Sequence, residues 1–316
     1  MRLEAVTLKQ LRTLVAVAET GSLTAAADRL SLTPPAIHSQ IKNLEAAIGV
    51  TLLQRSPDAA GLVLTAEAGP VRDAALRIDV TLSQAADQVR ALAEGRAGLV
   101  TLGVVSTGKY FAPRLVRSLN LLCPEVRIVL RMGNREGIIA DLDRQAIDLA
   151  IMGRPPRVPP VNATLLGPHP HGIIAAPDHP LAGRRALTGA DLDGSTFIAR
   201  EPGSGTRTLM SRVLDRLGEG RDFELVEMGS NETIKQAVIA GLGIAFLSLH
   251  TVMEELGQGR VVLLDVPGLP MVRHWFLVQP QSVRLSPAAA RLSAEILKLE
   301  GSYLPGHAAP LPVAGA

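Results

Sequence analysis

The run GVVSTGKY at 103–110 sets Gly103, four residues, then Gly108 and Lys109 at the end of the apolar stretch LVTLG. A loop of the form G-x-x-x-x-G-K-[S/T] between a strand and a helix cradles phosphate groups with backbone N–H groups and a lysine. RVVLLD at 260–265 also supplies an apolar strand closing on an aspartate, as a Mg²⁺-holding partner would. One position departs from the hydrolase pattern, because Tyr110 stands where a Ser or Thr hydroxyl would bind the metal. EPGSGTR at 201–207 is a second pattern suited to an anion. There Gly203 and Gly205 permit close backbone approach, Ser204 and Thr206 carry hydroxyls, and Arg207 offers a fixed positive fork. SNET at 230–233 is first a helix N-cap and only second a ligand site through Asn231, Glu232 and Thr233.

These fragments must be positioned by the elements around them. Beyond residue 98, LVTLGVV, VRIVLRM and IDLAIM alternate with helical segments in a β-α-β-α-β series, which implies an α/β fold with a parallel sheet covered on both faces. HGIIAAP, TFIAR, a helix from Ser204 to Leu217, FELVEM, a helix in NETIKQAVIAGLG and IAFLS repeat the theme. VVLLDV, MVRHWFLVQ and a closing helix from Pro287 to about Glu300 complete it. Ligands of such sheets sit at the carboxyl ends of strands, where helix N-termini point N–H groups into the crevice. The candidate lining is therefore Ser106, Thr107 and Lys109 after the first strand, Asn134 and Arg135 after the second, and Arg154 after the third, joined by residues 201–207 and 231–233.

The N-terminal segment reads differently. Leu8, Leu11, Leu14, Val15 and Ala18 fall at helical spacing before a capping Gly21, and Ser22 restarts the chain into SLTAAADRL. SLT then leads to Pro34 and Pro35 and a third helix that buries Ile37, Ile41, Leu44 and Ile48. Its outward face keeps Thr33, Pro34, His38, Ser39 and Lys42, with Gln40 near the edge. Two short helices, a tight turn and a third helix with a polar N-terminal half form a helix-turn-helix, which places the last helix in the major groove of DNA. A three-helix bundle without a ligand is the alternative. LLQR and GLVLT around SPDAA read as a wing, with Arg55 at its base in reach of a phosphate.

From Thr65, a candidate N-cap, Val71, Ala75, Ile78, Leu82, Ala85, Val89 and Leu92 recur at spacings of 4 and 3. This heptad seam predicts a homodimer, and paired recognition helices would read a near-palindromic site. GRAG at 95–98 breaks the helix as a hinge.

Composition adds exclusions. The 316 residues are 47% hydrophobic and 20% charged, enough for two or three domains. The net charge of +2 announces neither nucleic acid nor membrane, and residues 1–65 carry six Lys or Arg against five Asp or Glu. Cys123 is the single cysteine, so an intrachain disulfide and a cysteine-based metal cluster are excluded. The N-terminus lacks a signal peptide's apolar stretch, and the apolar segment at 236–249 is short and Gly-rich, which together predict a soluble, cytoplasmic protein. His169, His171 and His179 show no metal-ligand spacing and read as loop and strand residues; Trp275 reads as core. No catalytic residue, metal or cofactor is expected.

Residues 6–302 together resemble the LysR-type transcriptional regulators. LRTLVAVAETGSLTAAADRLSLTPPAIHSQIKNLEAAIG, LLQRS and LVLT carry the resemblance at the N-terminus. KYFAPRL, GNRE, DLAIMGRPP, IIAAPDHPLA, REPGSGTR and GSNETIKQAVIAGLGIAFLS are similar to one subgroup, the regulators of the Calvin-cycle RuBisCO operon. The resemblance implies a winged helix-turn-helix over 1–65, a linker and dimerisation helix over 66–95, and a two-lobed effector domain like periplasmic solute-binding proteins. It divides that domain into lobe I at 96–166 plus 269–302 and lobe II at 167–268, with lobe crossings near 166–170 and 267–270. The Pro/Ala/Gly-rich tail at 303–316 is expected to be disordered.

It further implies that Thr33, Pro34, Pro35, His38, Ser39 and Gln40 read the operator, and that Ser106, Thr107 and Asn134 hold effector-contact positions; Ser22, Lys42 and Arg55 join the DNA-binding candidates from their places beside that helix and in the wing. Pro34 stands where many members carry Gln, and Ser39 where they carry Arg. The implied partners are double-stranded promoter DNA, a small anionic metabolite such as a sugar phosphate, phosphoenolpyruvate or NADPH, a second copy in a homodimer or homotetramer, and RNA polymerase. A regulator of another operon, a solute-binding protein and a P-loop hydrolase are the alternative readings.

Overall fold

A computed structural model of the chain describes residues 2–55, 61–93, 98–218 and 220–306, with only the backbone of 91–93. The wing turn SPDAA, the hinge residues 95–97 and the tail from 307 lie outside the described residues. The chain divides into two compact units, 1–87 and 88–316.

In the first unit, helix α1 (Leu8–Thr20) opens with a capping box in which Thr7 Oγ1 accepts from the Gln10 N–H and Gln10 Oε1 accepts from the Thr7 N–H. It stops at Gly21, whose φ of 66° is the left-handed geometry that glycine adopts without strain. Ser22 caps α2 (Leu23–Leu30), and Thr33 caps α3 (Pro34–Ile48) ahead of its two prolines. Leu11, Leu14, Val17, Ile37, Ile41 and Leu44 form the core between them. The buried face of α1 is rotated from the expected one: Gln10 and Thr13 are buried while Leu8 is exposed. Strands β1 (Leu53–Arg55) and β2 (Leu62–Leu64) pair antiparallel, and the Leu62 N–H bonds the Gly21 carbonyl, tying them to the α1–α2 turn.

Helix α4 runs Ala68–Ala93, starting two residues later than a Thr65 cap would place it. The Thr65 hydroxyl instead donates to the Thr51 carbonyl over 2.9 Å. The first part of the heptad seam is not a free surface. Ala75 is buried in the core of the first unit and Val71 packs against it, while Arg12 pairs with Asp79 at 2.7 Å. Farther along, Ile78, Leu82, Ala85 and Val89 are exposed, the last at 66%. The Leu92 side chain lies outside the described residues.

The second unit contains β3 (Leu99–Val105), α5 (Ala112–Leu122), β4 (Arg127–Gly133), α6 (Arg135–Asp143) and β5 (Leu149–Met152), followed by a long strand β6 (Val161–Ala175). Next come β7 (Phe197–Ala199), α7 (Gly205–Gly218), β8 (Leu225–Glu227), α8 (Asn231–Ile239), β9 (Ala245–Ser248), α9 (Met253–Gly257), β10 (Val262–Leu263), β11 (Met271–Pro280) and α10 (Pro287–Lys298). β3 is parallel to both β4 and β5, as the β-α-β series predicts. The sheet is nonetheless mixed, because β11 runs antiparallel to β5 and to β6, and β6 antiparallel to β9 and β10.

The strand β6 starts ten residues before the expected HGIIAAP. Pro168 and Pro170 concealed it, since proline argues against a strand. Two apart on one strand, they leave both missing N–H groups on the same edge. β6 and β11 are the two crossings between lobes. Lobe I packs around Leu102, Leu149, Leu166, Trp275 and Leu277, and lobe II around Ile173, Phe197, Phe246 and Val266. Met271 still packs on lobe II, so the return crossing falls at 271–275 rather than at 267–270. Ile174, Ala245 and Leu247 belong to a further core on the opposite sheet face, which explains why HGIIAAP and IAFLS are apolar without alternation.

The disorder expected from residue 303 does not hold for the first residues of that segment. Tyr303 and Leu304 are buried in the lobe I core, where the Tyr303 ring lies 5.8 Å from that of Phe111. Among the described residues no helix is long and apolar enough to cross a membrane.

Candidate functional site

A cavity of about 460 Å³ opens at the carboxyl ends of β3 and β5. Ser106 and Thr107 follow β3, while Gly153, Arg154 and Arg157 follow β5. Arg135 reaches it from the start of α6. Lobe II contributes Ser204, Gly205 and Thr206 at the start of α7, with Thr208 and Arg212 farther along that helix. His169 and His171 of β6 and Arg273 of β11 complete the wall.

The electrostatics of this lining point one way. Five arginines, 135, 154, 157, 212 and 273, face the cavity, and its lining contains no carboxylate. Among the described residues none of the five is paired with an Asp or Glu. Arg135 donates to the Arg154 carbonyl over 3.3 Å, and its guanidinium is held below its ordinary value by burial and by the Arg154 charge. Like charges gathered without a counterion are unfavourable until an anion enters. The α7 N-terminus adds backbone donors and partial positive charge.

The inner wall is neutral. Burial holds His169 well below its ordinary value and His171 down at about 4. His250, behind them, is likewise at about 4 through burial and accepts the Trp275 Nε1–H bond over 3.1 Å. For His169 and His171 the sequence predicts loop and strand residues without a shared site. The alternation His-Pro-His on β6 instead sets His169 and His171 on one face, 4.2 Å apart between ring centres.

Several residues expected in the lining do not reach it and join the lobes beside it. Lys109 Nζ lies 3.2 Å from Glu232, and the Tyr110 hydroxyl donates to the same carboxylate over 2.7 Å. Partial burial opposes ionisation of Glu232, yet hydrogen bonds from Lys235, Tyr110 and Lys109 hold it down at about 2. Arg200, which closes the run TFIAR but is not among the candidate lining residues, donates to Asn231 Oδ1 (2.5 Å), to Ser106 Oγ (3.1 Å) and to both oxygens of Glu201. Asn134 caps α6 and donates to Glu201 over 3.4 Å, and the Gly203 carbonyl accepts from the Glu136 N–H. Arg207 is turned onto the Arg200 carbonyl at 3.1 Å, and Thr233 serves the Ser230 cap of α8.

The phosphate-loop pattern is corrected by the same geometry. Residues 106–110 form a 3-10 turn, and a Cβ on Gly108 would fall 3.3 Å from Phe111, so that glycine serves packing. Asp265 belongs to lobe II, where it accepts from the Ala186 N–H. Among the described residues no cluster of His, Cys, Asp or Glu is placed to hold a metal.

In the first unit, Thr33, Pro34, Pro35, His38, Ser39 and Lys42 are exposed on α3, and Gln40 is half-buried. Lys42 is tied to Glu45 at 2.8 Å, while Glu45 accepts the Leu52 N–H, so that lysine braces the wing. Ser22 is half-buried with its hydroxyl on the Ala25 N–H, which makes it a cap. Arg55 is exposed at the end of β1.

Residues 8–69 match the bacterial regulatory helix-turn-helix protein, lysR family, and residues 93–299 match the LysR substrate binding domain. The HTH-type transcriptional regulator CbbR of Cereibacter sphaeroides is 63% identical over 306 residues, 97% of this chain and 99% of that one. A solved structure of the CcmR regulatory domain of Synechocystis PCC6803 in complex with 2-PG is 32% identical, with a TM-score of 0.61 over 64% of this chain and 97% of that one. Full-length CbnR complexed with the target DNA is 20% identical and shares the fold, with a TM-score of 0.67 over 92% of this chain and 99% of that one.

Proposed function

The chain belongs to the LysR family of DNA-binding transcriptional regulators, and on that premise we propose that it activates the genes of a RuBisCO operon in the cytoplasm, in response to a small anion held between its two lobes. The observation that carries the sensing half is the cavity with five arginines and no carboxylate in its lining. Its size suits a small metabolite, since ligand pockets run from roughly 300 to 1,000 Å³. The 2-PG in the CcmR domain structure supports a ligand of that size. Ser106, Thr107, Arg135, Arg154, Ser204, Gly205 and Thr206 are the expected contacts. Lys109, Asn134, Gly203 and Glu232 act instead on how the lobes are joined, while Arg207 and Asn231 hold Arg200 and Thr233 serves the α8 cap within lobe II.

The DNA half rests on α3, whose exposed His38 and Ser39 would meet base edges while Arg55 meets phosphate. The exposed part of the α4 seam supports a homodimer, and a dimer of dimers would span promoter DNA within reach of RNA polymerase. The anion acts by preferring one assembly state. Moving a two-state ratio from 1:99 to 99:1 requires about 5.5 kcal/mol of differential affinity, which several modest sites in one tetramer can supply together. The role is one of binding, with no catalytic step.

Footprinting on a RuBisCO promoter tests this reading with 2-PG, ribulose bisphosphate, phosphoenolpyruvate and NADPH. A footprint or DNA bend that changes with at least one compound is expected. Protection of that promoter unaltered by all four contradicts the sensing half, and no protection contradicts the operon assignment.

A further inference from the structure

His169 of β6 is 4% exposed and its ring is fixed on all sides, yet it borders the cavity. It stacks on Trp275 with ring centres 3.8 Å apart and planes 15° from parallel, and His171 covers it at 4.2 Å. One ring nitrogen is used: Nε2 lies 2.9 Å from Ser248 Oγ. The other, Nδ1, is buried without a hydrogen-bond partner. A buried polar atom left unpaired is unfavourable, and in a binding site the ligand is the natural partner. A second observation concerns access to that atom. A Cβ built on Gly153, itself part of the cavity lining, would stand 2.9 Å from Nδ1, so any other residue there would close the approach.

We propose that His169 is a ligand-contact residue that sets specificity, its Nδ1 taking a hydroxyl group of the bound anion through the gap left by Gly153. This rests on the reading of the cavity as an anion site. The arginines satisfy charged oxygens but can only donate, whereas a hydroxyl must also give its own hydrogen to an acceptor. A hydroxyl pairs with Nδ1 in either tautomer, because it both donates and accepts, and the Ser248 hydroxyl adapts in the same way at Nε2. The arginines therefore select charge, and His169 selects hydroxylated acids among molecules of equal charge.

The test is calorimetric titration of the full chain with a matched pair, D-glycerate 3-phosphate and its 2-deoxy analogue 3-(phosphooxy)propanoate, which differ in one hydroxyl. Wild type is expected to bind the hydroxylated acid about three- to tenfold more tightly, as one hydrogen bond supplies. His169→Asn places an amide near the position of Nδ1 and retains that preference. His169→Gln places it near Nε2 and abolishes the preference, leaving affinity for the deoxy acid. Gly153→Ala, whose methyl group presses on the ring at Nδ1 and fills the approach to it, also abolishes it. Equal binding of the two acids by wild type, or a preference that survives in the Gln and Gly153→Ala variants, overturns the assignment of His169 while leaving the anion site standing. If neither acid binds at all, the anion reading falls together with it.

Discussion

Tyr110 of lobe I donates its phenol hydrogen bond to Glu232 of lobe II over 2.7 Å, and Lys109 approaches the same carboxylate at 3.2 Å. One acidic side chain thereby holds two successive residues of the loop that follows β3. Lys235, buried beneath it, binds both Glu232 and Glu255 at 2.7 Å. The bracket closes the lobes next to Ser106, which faces both the cavity and Arg200.

Tyr110→Phe removes one hydrogen bond to a charged acceptor and leaves the ring in place. We expect the Tm of the effector unit to fall by roughly 2–6 °C, from a loss of about 1–2 kcal/mol. Thermal unfolding of the full chain followed by calorimetry checks this, and an unchanged Tm would show that the lobes do not depend on the bracket.

The titrating groups set two pH windows. His171 and His250 stay neutral in the folded chain, with values near 4 against an ordinary 6.5, so the unfolded chain binds their protons first. Their contribution is fully present above 6.5 and is lost as pH falls toward 4. Glu232, held at about 2 against 4.5, contributes stability above 4.5 that is lost as pH falls toward 2. Urea unfolding across pH should therefore weaken in both windows, with Glu232→Gln flattening only the lower one.

How much of this was legible depends on whether the determining contacts are local. The exposed face of α3 was readable because Ile37, Ile41 and Leu44 mark its buried face, which fixes by period that His38 and Ser39 point outward. The caps at Ser22 and Ser230 were readable for the same reason, since a cap joins residues three apart. The arginine wall was half readable. Arg154 follows a strand end, but Arg212 shows itself only through its spacing of four and eight from Thr208 and Ser204 along α7, and Arg273 lies on a strand that crosses between lobes. The partnership of Lys109 and Tyr110 with Glu232 spans more than a hundred residues and left no local signal. There the sequence pattern favoured an anion loop, and the fold supplied an internal carboxylate instead.

The seam on α4 separates into two parts that mutation should distinguish. Leu82→Lys, on the exposed part, is expected to shift the chain toward monomer in sedimentation velocity with its helix content intact. Ala75→Leu should instead destabilise the DNA-binding unit by about 1–3 kcal/mol through overpacking, with little effect on association. Equal effects of the two substitutions on association would return the whole seam to the dimer.

DNA readout likewise divides into two kinds of contact. Arg55→Ala should weaken binding to all sequences similarly and reduce the salt slope by about 1, as loss of one phosphate contact does. His38→Ala should cost about 1–3 kcal/mol on the operator and little on unrelated DNA. Operator and random-duplex titrations over a range of salt read both quantities, and a uniform loss for His38→Ala would place it on the backbone.

Sensing of an anion by the arginine wall is tested most directly with the double variant Arg154→Ala/Arg273→Ala. Neither residue belongs to the bracket between the lobes, so folding and promoter affinity without ligand should match wild type. Loss of two charge-assisted contacts should weaken the effector by about a hundredfold or more. The decisive measurement is ligand-titrated footprinting of both proteins on a RuBisCO promoter with the compound that alters the wild-type footprint. The expected result is a wild-type footprint that changes and a double-variant footprint that stays in its ligand-free form over the same range. A double variant that responds at wild-type concentrations, or a wild type that responds to no anion, would contradict it.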